Sequence, residues 1–132
     1  MRILIAEDDL ISRKFLSKFL AMYGECDITV DGSEALEAYL LAWRESNPYQ
    51  LACLDIMMPK VDGLKVLKTI RNLEQQNGVL FEQRLKIIMT TALADTEYIK
   101  QAFASGCDAY AAKPVDTEKF LEVMKKLGLA EF

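Results

Sequence analysis

The sequence predicts an α/β fold, a five-stranded parallel sheet with helices on both faces. Five short apolar runs alternate with stretches that have helical spacing, and this alternation is typical of a parallel sheet. The apolar runs are residues 3–6, 26–30, 51–54, 86–89 and 109–112. Runs one, three and four are almost wholly apolar, as expected for central strands that helices cover on both faces.

The second run is predicted to lie at an edge of the sheet. Residues 26–30 alternate strictly between apolar and polar side chains, which is the pattern of a strand covered on one face. Right-handed crossovers around such an edge strand favour the flavodoxin-like strand order 2-1-3-4-5. The predicted architecture is therefore (βα)5 with that order.

Apolar residues at helical spacing mark one helix after each strand. In chain order they are Ile11, Phe15, Leu16, Phe19 and Leu20; Leu36, Tyr39, Leu40 and Trp43; Leu64, Leu67 and Ile70; Ile99 and Phe103; and Phe120, Met124 and Leu127. Asp31 and Asp116 stand at sequences typical of helix starts, and the last helix should end near Gly128. Residues 72–84 form a polar stretch around Gly78 that is longer than an ordinary connection. We expect there the extended end of helix three and a surface loop.

Length and composition indicate one globular domain, residues 1–132. The chain has 52% hydrophobic and 27% charged residues, enough for a self-sufficient core. A net charge of −4 argues against direct contact with nucleic acid, which needs Lys and Arg to neutralise phosphates. Because histidine is absent, the chain has no His metal ligand and no His base.

The sequence gives no sign of export or of membrane insertion. The N-terminal stretch is not a secretory signal, and no apolar run reaches the length of a membrane span. The three cysteines are odd in number and have apolar neighbours, so we interpret Cys26, Cys53 and Cys107 as small core residues. This cysteine usage fits a reducing, cytoplasmic setting.

Polar residues follow the predicted strands at their carboxyl ends, where open parallel sheets bind ligands. The first strand is followed by Glu7-Asp8-Asp9, the third by Asp55, the fourth by Thr90-Thr91-Ala92 and the fifth by Lys113-Pro114. Neighbouring carboxylates raise each other's pKa unless a cation lies between them. Since the available ligands are oxygens, the pattern predicts a hard cation, Mg²⁺.

Asp55 ends an apolar strand on a charge, and this position suggests that it is a nucleophile. A carboxylate beside a metal, an ammonium and a hydroxyl can attack phosphorus while its neighbours stabilise the phosphoryl oxygens. Taken singly, Asp9 and Asp62 are interpreted as helix caps, and Lys113 as a solvated lysine. The set as a whole favours a phosphoacceptor site.

Four motifs in this order make the chain resemble the receiver domain of two-component response regulators, nearly from end to end. The motifs are ILIAEDD at 3–9, LDIMMPKVDG at 54–63, TTA at 90–92 and GCDAYAAKP at 106–114. The resemblance implies a phosphorylation-operated signalling switch. It also implies a phosphoryl donor that is a sensor histidine kinase or a phosphotransfer protein.

The resemblance also implies a role for individual residues. Asp55 would accept the phosphoryl group, and it would hold Mg²⁺ together with Glu7, Asp8 and the main-chain carbonyl of Met57. Thr91, Ala92 and Lys113 would contact the phosphoryl group. Thr91 and Tyr110 would form the switch, since a Tyr on an edge strand can bury or expose its ring at little difference in cost. A cis peptide between Lys113 and Pro114 is expected as well.

Two positions depart from the version best known in chemotaxis regulators. Met57 and Leu93 are apolar where that version has polar side chains that orient a hydrolytic water. Without such a guide the water attacks less readily, so we predict a comparatively long-lived phosphoaspartate.

Output is expected through protein contacts on the face formed by helix four, strand five and helix five, with an unknown downstream protein or as a homodimer. One alternative is a Mg²⁺-dependent phosphohydrolase of the haloacid dehalogenase kind. Those enzymes need an acid two residues after the nucleophile, where this chain has Met57. A flavodoxin-like mononucleotide binder is a second alternative, but Glu7-Asp8-Asp9 would repel its phosphate.

Overall fold

Five parallel strands form a single sheet in the order β2-β1-β3-β4-β5 in the computed structural model, which describes residues 1–92 and 96–130. The strands are β1 (Arg2–Ala6), β2 (Glu25–Thr29), β3 (Leu51–Asp55), β4 (Lys86–Thr91) and β5 (Ala109–Ala112). The predicted fold class, the strand order and the edge position of the second strand are confirmed.

The helices begin where the sequence places capping carboxylates. They are α1 (Leu10–Leu20), α2 (Gly32–Arg44), α3 (Gly63–Gln76), α4 (Thr96–Ala104) and α5 (Thr117–Lys126). Asp9, Asp31, Asp62 and Asp116 each accept a hydrogen bond from a backbone N–H in the first turn of α1, α2, α3 and α5. None of the described helices is both long enough and apolar enough to cross a bilayer.

Two hydrophobic layers cover the two faces of the sheet. One layer packs α2, α3 and α4 against side chains such as Leu54 and Ile87. The other packs α1 and α5 against the opposite face, where the rings of Phe19 and Phe120 meet edge to face at 5.8 Å. Since successive strand residues point to opposite faces, the apolar runs of the inner strands supply both layers.

Several apolar residues lie differently from the sequence prediction, among them Leu40 and Phe103, which are exposed. Leu16 and Leu20 of α1 are buried, but Ile11 is 79% exposed and Phe15 is 43% exposed. A helix on a sheet buries one stripe of its surface, and these two residues lie outside that stripe. Cys26 is only partly buried because β2 is an edge strand, whereas Cys53 and Cys107 are buried as predicted.

Residues 72–84 form the end of α3 and a compact connection, as predicted. After Gln76 the chain turns at Gly78, whose φ of 67° suits glycine, and a single 3₁₀ turn (Phe81–Gln83) follows. The connection is tied down by Glu74, whose Oε2 accepts a hydrogen bond of 2.7 Å from the backbone N–H of Leu85.

Arg71 joins this connection to the start of β5. Its guanidinium donates to Glu74 Oε1 at 2.7 Å, to Asp108 Oδ2 at 2.9 Å and to the backbone carbonyls of Gly106 and Leu85. All three charged side chains are largely buried. Removing the cation would therefore leave two buried carboxylates short of a partner.

Replacing this arginine tests the network. We expect Arg71→Ala to lower the free energy of unfolding by about 3 to 5 kcal/mol, because buried charges lose their partner. Arg44→Ala, on the exposed last turn of α2, is the matched control and should cost less than about 1 kcal/mol. Urea denaturation of both variants measures the difference, and equal losses would contradict the buried-network interpretation.

Candidate functional site

Three carboxylates meet at the carboxyl ends of the two central strands. Glu7 and Asp8 follow β1, and Asp55 is the last residue of β3. The two strands are adjacent, with Ala6 paired to Leu54, so the residues that follow them lie side by side. Carboxylate oxygens of Glu7, Asp8 and Asp55 lie within 4.8 Å of one another.

Lys113 brings a positive charge to the same place. It follows β5, and its backbone N–H donates to the carbonyl of Thr91 at 2.8 Å. Its side chain reaches past β4 so that Nζ lies 3.1 Å from Asp55 Oδ2 and also contacts Glu7 Oε1. The peptide bond between Lys113 and Pro114 is cis, as expected.

Burial and mutual repulsion set the protonation of the cluster. Glu7 is fully buried, and Asp55 is 5% exposed. Burial, and after it the neighbouring Glu7, raise the pKa of Asp55 to about 6, although Lys113 opposes the shift. Burial and the nearby Asp55 also raise the pKa of Asp8. For Lys113, burial acts to lower the pKa, but Glu7 and Asp55 outweigh it and raise the pKa overall.

The cluster has the ligands and the charge that a hard divalent cation requires. Three carboxylates against one ammonium leave two negative charges. Glu7 Oε2 is buried and has no hydrogen-bond partner among the described residues. Because Mg²⁺ binds through oxygen ligands and needs one or two carboxylates, these residues fit it.

The remaining predicted residues lie in the loop after β3, at the end of β4 or on β5. The backbone N–H of Met57 donates to Asp55 Oδ1 at 3.3 Å, while the Met57 side chain is 52% exposed. Thr91 is buried at the end of β4, and Ala92 follows it in an exposed bend.

Tyr110 on β5 is 43% exposed, and its ring meets that of Phe103 edge to face at 6.2 Å. Leu93 lies outside the described residues.

Two supporting residues were missed by the sequence analysis. Arg13 of α1 donates through Nη1 to the backbone carbonyls of Glu7 and Asp8, at 3.1 and 3.2 Å. Gly63 begins α3 against the site, and a Cβ there would lie 2.1 Å from the carbonyl oxygen of Asp55. The signal that could have indicated Arg13 is a basic residue one turn after the Asp9 cap. The signal for Gly63 is the Asp-Gly pair that ends the second motif.

The sequence is similar to those of known proteins. Residues 3–125 match the family described as the response regulator receiver domain. The chemotaxis protein CheY of Treponema pallidum is 32% identical over 123 residues, 92% of this chain and 78% of that protein. Hybrid signal transduction histidine kinase L of Dictyostelium discoideum is 32% identical over 128 residues, 96% of this chain. The chain spans only 7% of the length of that kinase.

The fold of this chain is also similar to that of a protein in a solved structure. It is the co-crystal of the Saccharomyces cerevisiae histidine phosphotransfer signaling protein Ypd1 and the receiver domain of its downstream response regulator Ssk1. A chain in it superposes with a TM-score of 0.80 and 25% sequence identity, over 98% of this chain and 92% of that chain.

The raised pKa of Asp55 predicts a pH-dependent stability in metal-free solution. A carboxyl whose pKa rises from 3.8 to about 6 on folding favours the folded state below pH 3.8, and this contribution is lost as pH rises through 6. We therefore expect Asp55→Asn to be more stable than the wild type by roughly 2 kcal/mol at pH 7.5, and nearly equal to it at pH 4.

Denaturation with urea in the presence of a chelator measures this difference at both pH values. Asp116→Asn is the matched control, because Asp116 is an exposed helix cap and asparagine caps a helix about as well. A gain for Asp55→Asn that is the same at pH 4 and 7.5 would show that ionisation of this carboxyl is not its source.

Proposed function

The chain belongs to the response regulator receiver domain family, and we propose that Asp55 is the side chain on which it accepts a phosphoryl group. Receiver domains act in two-component and phosphorelay signalling. The observation that carries the assignment is the contact of 3.1 Å between Asp55 and Lys113 inside an acidic cluster. A nucleophilic carboxylate and a phosphate-binding ammonium are thus held together.

The proposed reaction moves a phosphoryl group from a histidine of the partner to Asp55. An Asp55 carboxylate oxygen forms the new bond to phosphorus, and the bond between phosphorus and the partner's imidazole nitrogen breaks. Lys113 is placed to neutralise charge on the transferred oxygens, and burial of Asp55 limits competing water. Arg13 positions the chain at Glu7 and Asp8 through their carbonyls.

Mg²⁺ fits this site, in keeping with the acidic pocket at which receiver domains bind it. We propose that Glu7, Asp8, Asp55 and the main-chain carbonyl of Met57 hold the ion. When bound, it supplies positive charge to the phosphoryl oxygens. In this way the chain assists its own phosphorylation.

The proposed response is a change of the surface formed by α4, β5 and α5. Thr91 and Ala92 stand at the end of β4, next to the strand that carries Tyr110. We propose that they contact the phosphoryl group and that the half-exposed Tyr110 ring then turns inward. A downstream protein, or a second copy of the chain, would bind this surface; the net charge of −4 disfavours nucleic acid.

The proposed phosphoryl donor is a sensor histidine kinase or a phosphotransfer protein. A relative of known structure was crystallised with the phosphotransfer protein Ypd1. In this chain, the exposed Ile11 and Phe15 line a shallow cavity with Pro114, the residue after Lys113. An apolar contact beside the acceptor would orient a donor protein over Asp55.

The phosphohydrolase alternative is not favoured. It requires an acid two residues after the nucleophile to protonate the leaving group. That residue here is Met57, whose side chain is apolar and exposed.

A phosphorylation assay tests the proposal directly. With Mg²⁺ and acetyl phosphate, the intact mass of the wild type should increase by one phosphoryl group, whereas Asp55→Asn should stay unchanged because it lacks the nucleophile. Asp116→Asn, which changes an exposed helix-cap carboxylate outside the acidic cluster, should be labelled like the wild type. Equal labelling of Asp55→Asn and the wild type would overturn the assignment.

The apolar Met57 predicts a long-lived phosphorylated state. We expect Met57→Asn to shorten the lifetime of the phosphoaspartate on the order of tenfold, because an amide can orient the attacking water. Phosphorylated protein freed of acetyl phosphate would be followed by intact mass over time in Mg²⁺. Met22→Asn is the matched control, since Met22 is also exposed but lies after α1; equal lifetimes for the two variants would refute the prediction.

A further inference from the structure

A second cavity lies at the amino ends of the strands, whereas Asp55 lies at the carboxyl end of β3. Its volume is about 620 Å³, within the range of pockets that hold small molecules. Gln50 and Lys86, at the amino ends of β3 and β4, form part of its lining. Its roof is the connection between α3 and β4, the segment whose length the phosphoacceptor function does not explain. That connection is held by the backbone hydrogen bonds of Val79 to Glu74 and of Leu85 to the Glu74 carboxylate.

Two buried hydrogen-bond donors of the lining residues have no partner among the described residues. Tyr39 is 2% exposed, and its hydroxyl is buried without a hydrogen bond. Burial raises the pKa of this tyrosine, so the hydroxyl keeps its proton at neutral pH. Arg84 Nε is likewise buried and unpartnered. An unsatisfied buried donor costs stability, which a ligand with an acceptor would recover.

The polar groups of the lining that remain free to bind a ligand favour an anion. Both carboxylate oxygens of Glu74 are already used, one by Arg71 and the other by the Leu85 N–H. Arg84 uses Nη2 to bind Asp108 at 2.9 Å and keeps Nε for another partner. Lys86 adds a second cation to the wall, while Glu82 stands on the exposed part of the roof. The two buried polar atoms of the lining that lack a partner, the Tyr39 hydroxyl and Arg84 Nε, are therefore both donors.

The remaining wall favours a flat, apolar body. Tyr39 and Trp43 of α2 pack with ring centroids 6.0 Å apart, and both line the cavity. Leu129, beyond the end of α5, contributes an aliphatic surface. Aromatic side chains bind other aromatic rings by offset or edge-to-face contact, with more energy than their area alone supplies.

We propose that this cavity binds a small aromatic carboxylate. The ring would lie against Trp43, and the carboxylate would accept hydrogen bonds from Tyr39 and Arg84 with the charge of Lys86 nearby. The site is separate from the acidic cluster, so it does not depend on phosphorylation at Asp55.

The single tryptophan of the chain provides the readout, because Trp43 lines the cavity. In the ¹⁵N-labelled protein, we expect benzoate to shift the indole N–H resonance of Trp43 saturably, with a Kd on the order of 1 mM. Benzamide, which has the same shape without the charge, should bind at least about fivefold more weakly. Benzoate that gives no saturable shift below about 20 mM, or benzamide that binds equally well, overturns the proposal.

Matched variants locate the binding site. Tyr39→Phe removes only the unpartnered hydroxyl, and Lys86→Gln removes only the charge, so both should fold and weaken benzoate binding about fivefold. Tyr98→Phe on α4 and Lys18→Gln on α1 make the same changes outside the cavity and should bind like the wild type. Equal weakening in the control variants, or none in the cavity variants, overturns the assignment.

Discussion

Two buried carboxylates, those of Glu7 and Asp55, share the ammonium of Lys113, and the rest of the site depends on this unequal pairing. One cation cannot satisfy both acids, so burial first, and the remaining repulsion from Glu7 second, raise the pKa of Asp55. Such an arrangement costs stability unless another cation binds. The fold tolerates it because β1 and β3 are fixed as neighbours by apolar side chains on both faces of the sheet. The packing of the core thus offsets the free-energy cost of holding these like charges together.

Much of the fold and of the cluster could be predicted because the deciding signals are local. Apolar runs define the strands, capping aspartates define the helix starts, and parallel strands put their last residues at one edge. Arg13 and Gly63 were missed because each acts on backbone carbonyls, which leave no trace in the pattern of side chains. The exposure of Ile11 and Phe15 was missed for another reason. Helical spacing shows that residues share a face, but only the packing decides how much of that face is covered.

The edge strand β5 is held at both ends by charged residues, and this bears on the proposed role of Tyr110 as a switch. At its start, Asp108 accepts hydrogen bonds from Arg71, Arg84 and the backbone N–H of Ile87. At its end, Lys113 is bound to the acidic cluster and to the carbonyl of Thr91. Between these points the backbone is fixed to β4, whereas the ring of Tyr110 stands at the edge, half in solvent. In the proposed switch, the change at β5 would therefore be confined to this side chain, with the backbone held in place.

The residue two places after the nucleophile separates a switch from an enzyme on physical grounds. An enzyme that turns over phosphate esters must discharge its phosphoaspartate quickly, and this requires a group that activates or orients water. A switch must instead keep the phosphoryl group long enough for a partner to bind. Met57 stands within the loop that bonds to Asp55, but its thioether neither donates a proton nor holds water strongly. In the proposed switch, Met57 would leave a phosphoaspartate without a side chain that guides water, so the phosphoryl group would persist.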